Sequence, residues 1–155
     1  MQDAITQELT IAASMATVWD VITQPEHMKK WFFGVTAKLD LREGSHGSLS
    51  WKGLGTAPLE VVKVDKPHLF SFLWVSPDEE TASTHQQTLV EFALSEAGDK
   101  TQLRITESGY TALQISDEDK ASLIGKHTEG WANFGAALQK QAESLEHHAH
   151  LSDVR

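Results

Sequence analysis

A chain of 155 residues is long enough for one domain with a real core and too short for two comfortable ones. Its 40% hydrophobic and 23% charged content is that of an ordinary globular protein, and the lack of cysteine excludes disulfides, thiol nucleophiles and thiolate metal sites. A net charge of −9 with no basic stripe argues against nucleic acid as a partner, and no apolar run is long enough for membrane insertion.

In chain order, the opening MQDAITQELT has neither the basic nor the apolar region of a signal peptide, so a cytoplasmic protein is expected. Residues 5–11, ITQELTI, alternate apolar and polar as a strand does. Ser14 is placed to cap a short helix with Met15, Val18, Trp19 and Ile22 on one face. Pro25 suits the first turn of a second, PEHMKKWFF, which Gly34 ends. Strands are then expected near 35–41, 47–53, 57–65, 68–75, 85–95 and 100–108. The connections REGSHG, DKP, SPDEETAS and EAGDK are short, which favours antiparallel hairpins. Ser116, with Asp119 three residues on, opens a final helix predicted to reach about residue 146. Its apolar stripe is Ile124, Trp131, Leu138 and Leu145, with His127 and Phe134 between them. A single domain over 1–146 and a polar tail over 147–155 are expected. A sheet with one long helix packed on a face is the economical burial of both apolar surfaces, an α+β architecture.

Five stretches carry a resemblance: TVWDVITQPEHMKKWF, LREGSHGSLSW, HLFSFLWV, GDKTQLRITESGY and EGWANFGAALQ. In that order they resemble START-like (SRPBCC) proteins and, within them, the group named after the activator of the heat-shock protein 90 ATPase. The likeness runs from about residue 8 to residue 145. It implies a helix-grip fold, a curved antiparallel sheet wrapped around a long C-terminal helix with a cavity between. It also implies binding of lipid-, polyketide- or otherwise apolar molecules, with cyclase- or hydrolase-like chemistry in a minority. The eukaryotic activators carry a further N-terminal domain that this sequence lacks, which weighs against a chaperone role.

Strand parity places Glu107 on the face of Leu103 and Ile105, toward the helix. An inward carboxylate is costly unless paired or protonated. Facing an apolar cavity, its pKa would rise, as a polar anchor or general acid/base requires. At the cavity mouth it would be solvated or lysine-paired instead. His127 lies one turn before Trp131 and can meet a ligand oxygen, Glu107, or a backbone carbonyl. His85 is placed at the start of a strand, either at the cavity rim or solvated.

Five tryptophans lie in dispersed elements. Trp31, Phe32, Trp51, Phe72, Trp74, Trp131 and Phe134, with Glu107 and His127, are the candidate ligand-binding residues. Trp19 and Phe92 read as core. Gly125, Gly130 and Gly135 each weaken the last helix by about 1 kcal/mol relative to alanine. They admit either close approach of the sheet and free volume beside Trp131 and Phe134, or a bend. The EHHAH segment at 146–150 lacks a carboxylate framework, so no metal or other cofactor is expected. The leading expectation is a non-catalytic binder of an apolar or amphipathic small molecule. One alternative is an enzyme with Glu107 and His127 as catalytic acid and base. Another is a module that contacts a chaperone, in a stress-response role.

Overall fold

The computed structural model describes residues 2–153, with side chains as far as residue 148. Its elements are β1 (Ala4–Ile11), α1 (Met15–Thr23), α2 (Pro25–Trp31), β2 (Thr36–Lys38), β3 (His46–Trp51) and β4 (Gly55–Asp65). They continue with β5 (Leu69–Trp74), α3 (Glu79–Ala82), β6 (Thr88–Ala97), β7 (Lys100–Ser108), a 3-10 turn (Tyr110–Ala112) and α4 (Asp117–Asp153). The strands form one antiparallel sheet of seven in the order β1-β7-β6-β5-β4-β3-β2. Every sequence-adjacent pair from β2 to β7 is also adjacent in the sheet, and β1 closes the far edge against β7. This is the helix-grip architecture, α+β, with α4 held against the curved sheet.

Alternation along the strands builds the core. Thr88, Val90, Phe92 and Leu94 of β6 and Thr101, Leu103, Ile105 and Glu107 of β7 are all buried. On α4 the buried stripe is Leu123, His127, Trp131, Leu138 and Ala142 at helical spacing. Ile124, Phe134 and Leu145 flank it half-buried. Trp19 and Phe92 are core, as their positions imply.

The expected caps form. Ser14 Oγ accepts from the Thr17 N–H at 3.2 Å, and Ser116 Oγ from the Asp119 N–H at 3.0 Å. Pro25 occupies the first turn of α2. Beyond it Phe33 takes a left-handed φ of 50°, an unusual conformation for a large side chain, before Gly34 at 74°.

Several boundaries differ from the sequence reading. β2 has only three residues, since its partner β3 offers three pairings. The SPDEETAS connection contains α3, a single helical turn too short to leave a periodic signal. β6 starts at Thr88, so His85 is an exposed turn residue with a φ of 56°, not a strand end. The last helix continues to Asp153, and no break occurs at Gly130. The Ala12 and Ser14 N–H groups donate to Glu143 and Glu146, which ties this late part of α4 to the β1–α1 connection.

The three α4 glycines divide by environment. A Cβ on Gly135 would lie 3.2 Å from Leu9 Cδ1, a close approach of sheet and helix. One on Gly130 would meet only the Phe134 ring edge at 3.5 Å, and one on Gly125 nothing within 4 Å.

Candidate functional site

Glu107 is completely buried at the end of β7, and four donors from three other elements, β5, β6 and α4, converge on it. Its Oε1 accepts from His127 Nδ1–H at 2.7 Å and Trp131 Nε1–H at 2.8 Å. Its Oε2 accepts from Trp74 Nε1–H at 3.0 Å and Thr88 Oγ1–H at 2.5 Å. The Tyr110 hydroxyl sits beside them, 3.1 Å from His127 Nδ1. All four acceptor positions of a carboxylate are therefore used.

His127 extends the network outward. Its Nε2–H donates to Asp78 Oδ2 at 2.6 Å, in the cap position of α3. The imidazole thus lies between two carboxylates. Burial pushes its pKa down, but the hydrogen bonds and charges of Asp78 and Glu107 outweigh burial and raise it to about 10. It is an imidazolium at neutral pH. Burial pushes Glu107 up, and the His127 bond and charge, with Thr88 and Tyr110, hold it below the usual carboxylate range. Asp78 is lowered on balance as well: burial raises it, while His127, Ser76 and Lys126 act the other way. Burial and the Glu107 charge push the Tyr110 hydroxyl far up, so it stays protonated.

This corrects the expected raised pKa of Glu107. The carboxylate does face inward, as parity requires, but it meets donors rather than apolar space. It is the anion of a buried ion pair.

In front of this network lies a cavity of about 420 Å³ between α4, the end of α2, the β3–β4 turn and the start of the β5–β6 connection. Its apolar walls are Phe32, Phe33, Trp51, Leu54, Trp74, Pro77, Trp131 and Phe134. Gly34 and Gly130 leave room, and Lys52, Asp78, Lys126 and His127 are its charged groups. The walls interlock. Phe32 makes edge contacts with Trp51 and Phe134 at 5.2 Å and 4.6 Å between centroids, and Trp131 meets Phe134 at 5.5 Å.

Of the nine candidate residues, Phe32, Trp51, Trp74, His127, Trp131 and Phe134 line the cavity together. Trp31 and Phe72 do not. Trp31 is buried behind Phe32, stacked on it at 4.8 Å and donating to the Val21 carbonyl at 2.7 Å. Phe72 packs between Phe70, Trp74 and Phe92. Glu107 sits one shell behind the wall, reached only through Trp74, Trp131 and His127. Sequence reasoning missed Phe33 and Leu54, apolar residues in turns that are 62% and 69% exposed, and the charged rim of Lys52, Asp78 and Lys126. An exposed phenylalanine and leucine each beside a turn glycine were the available signal.

Among the described residues no cluster of metal-ligating side chains forms. His147 and His148 of EHHAH are exposed, and the His150 side chain lies outside the described residues. No described helix is long and apolar enough to cross a membrane.

A search of curated proteins found no match. Solved structures match well. Protein MLL2253 from Mesorhizobium loti superposes with a TM-score of 0.76 at 21% identity, covering 91% of this chain and 97% of its own. The Aha1 dimer from Colwellia psychrerythraea gives 0.72 at 20% identity, covering 92% and 97%. DynU16, from the dynemicin biosynthetic locus, gives 0.73 at 18% identity; the match covers 94% of this chain and about half, 49%, of DynU16. At such identities the likeness establishes the fold alone. The model of the family described as activator of Hsp90 ATPase homolog 1-like protein matches residues 12–143, most of the chain, so the protein belongs to that family.

Proposed function

We propose that the protein binds an apolar or amphipathic small molecule in the cavity between sheet and α4, without transforming it. The observation that carries this reading is the aromatic-walled space of about 420 Å³, with only four charged groups among its lining residues. Its size and its mostly apolar lining suit a small-molecule site. Acid–base chemistry by Glu107 and His127 has less support. Both imidazole nitrogens are committed to carboxylates, and Glu107 has no free face toward the cavity.

A thermal-shift panel of fatty acids, sterols and aromatic polyketides tests the reading. A true ligand at a hundredfold excess over its Kd adds about 2.7 kcal/mol of stability. Gly130→Leu is the control, because a side chain there grows past Phe134 into the cavity. Binding should disappear in that variant while the melting temperature of the free protein holds or rises. A wild-type protein that responds to nothing in the panel, or a Gly130→Leu variant that binds normally, sinks the proposal.

The family description favours a second reading, contact with an Hsp90-type chaperone. Stimulation of the chaperone's ATPase by the purified protein tests it, and it is independent of whether the cavity is filled.

A further inference from the structure

The polar groups around the cavity are not equally free. Trp51 donates its indole N–H to the Phe32 carbonyl at 2.9 Å, and Trp74 and Trp131 donate theirs to Glu107 at 3.0 and 2.8 Å. A ligand therefore meets indole rings without their donors. Ring surfaces set edge-on and tilted to one another reward a planar aromatic body more than a flexible chain, which also loses rotamer freedom when bound.

The charges point the same way. In a chain of net charge −9, this cavity is lined by Lys52, Lys126 and the His127 imidazolium against one carboxylate, Asp78. His127 is offset by Asp78 and Glu107, and Lys126 by Glu80 at 2.7 Å. Lys52 alone forms no ion pair or side-chain hydrogen bond among the described residues. It sits in the β3–β4 turn between Trp51 and the exposed Leu54, at the cavity's open side. A cationic ligand would meet the unpaired Lys52 there, the other two cations being already offset. An anionic one meets an unspent ammonium beside an aromatic wall.

We propose that the cavity selects a planar aromatic molecule bearing an anionic oxygen group, its rings among Trp51, Trp74, Trp131 and Phe134 and its charge at Lys52. This rests on the binding function above and narrows it.

The probes are 2-naphthoate, 2-naphthamide, 2-naphthyltrimethylammonium and decanoate, titrated against tryptophan fluorescence at fixed ionic strength. Naphthoate should bind tightest. Lys52→Gln should weaken naphthoate about tenfold, the worth of one charge-assisted contact, and leave naphthamide unchanged. Lys52→Glu should invert the preference between acid and ammonium. Unaltered melting temperatures would show that both variants fold. Equal or tighter binding of amide, ammonium or decanoate to the wild type overturns the selectivity while leaving the cavity function standing. So does a Lys52→Gln variant that weakens acid and amide alike. If none of the four probes binds, this selectivity is refuted, and the cavity function is decided by the wider panel of fatty acids, sterols and polyketides.

Discussion

Replacing Glu107 with glutamine keeps the shape of the side chain and removes one charge, and the donor geometry determines the cost. Two indole N–H groups, the imidazolium Nδ1–H and the Thr88 hydroxyl all point at the carboxylate. An amide oxygen satisfies two of them. Its NH₂ then confronts the other two with donors of its own. Thr88 can rotate its hydroxyl and accept, but an indole or imidazolium N–H cannot. At least one buried donor is stranded, at about 1–3 kcal/mol, and His127 loses one of its two counter-charges. Breaking a buried pair by removing one partner typically costs about 3–5 kcal/mol, and that range is expected for Glu107→Gln at neutral pH. Urea unfolding followed by tryptophan fluorescence measures it as a drop in midpoint at constant slope. A variant within about 0.5 kcal/mol of wild type, or more stable, would mean the carboxylate is an unpaired group in apolar space, one of the two alternatives the sequence leaves open. The ion-pair assignment would then fail.

The pH dependence follows with its sign. The folded pKa of His127 is raised, to about 10 from 6.5, so its contribution is fully present below about pH 6.5 and disappears as pH climbs through 10. The ceiling is about 5 kcal/mol, shared with Glu107 and Asp78 because the same contacts produce all three shifts. Those two carboxylates have lowered pKa values, so their share is present above about pH 4 and is lost on acidification. Denaturation midpoints between about pH 2 and 11 should therefore fall on both sides of a maximum near pH 5–6.5, and a flat alkaline limb would contradict the imidazolium. In α4, Gly125→Ala should stabilise by about 1 kcal/mol, since the new methyl meets nothing. Gly135→Ala should gain less than that or lose, because its methyl presses on Leu9. An equal gain at both sites, measured by thermal unfolding, would show that the close approach at Gly135 is not tight.

How much was legible depends on how far apart in sequence the interacting parts lie. Parity alone turned Glu107 inward, because Leu103 and Ile105 fix the face of β7. His127 opposite it was likewise readable from helical spacing. The direction of the pKa shift was not. Its donors lie 19, 20, 24 and 33 residues away and meet only once the sheet has formed, so the sequence shows desolvation and hides its compensation. Asp78 was overlooked for a related reason. In SPDEETAS it is one of three consecutive acids in a polar connection, and nothing local separates the one that reaches His127 from the exposed Glu79 or from Glu80, which pairs with Lys126.

The same contacts tie the cavity to the stability of the fold. Trp74 and Trp131 turn one side of the indole to the cavity and the N–H to Glu107, so the aromatic wall and the ion pair share their atoms. A ligand that stiffens those rings also holds the donors on the carboxylate. Loss of either tryptophan strips Glu107 of a donor as well as removing wall. Weak binding by Trp131→Ala is therefore ambiguous between a lost contact and a damaged core. Gly130 and Lys52 escape that coupling. One is a helix position with space before it, the other an exposed side chain, and neither touches Glu107 or His127 through a hydrogen bond or ion pair. Binding and folding come apart at those two positions, which is why the functional tests are placed there.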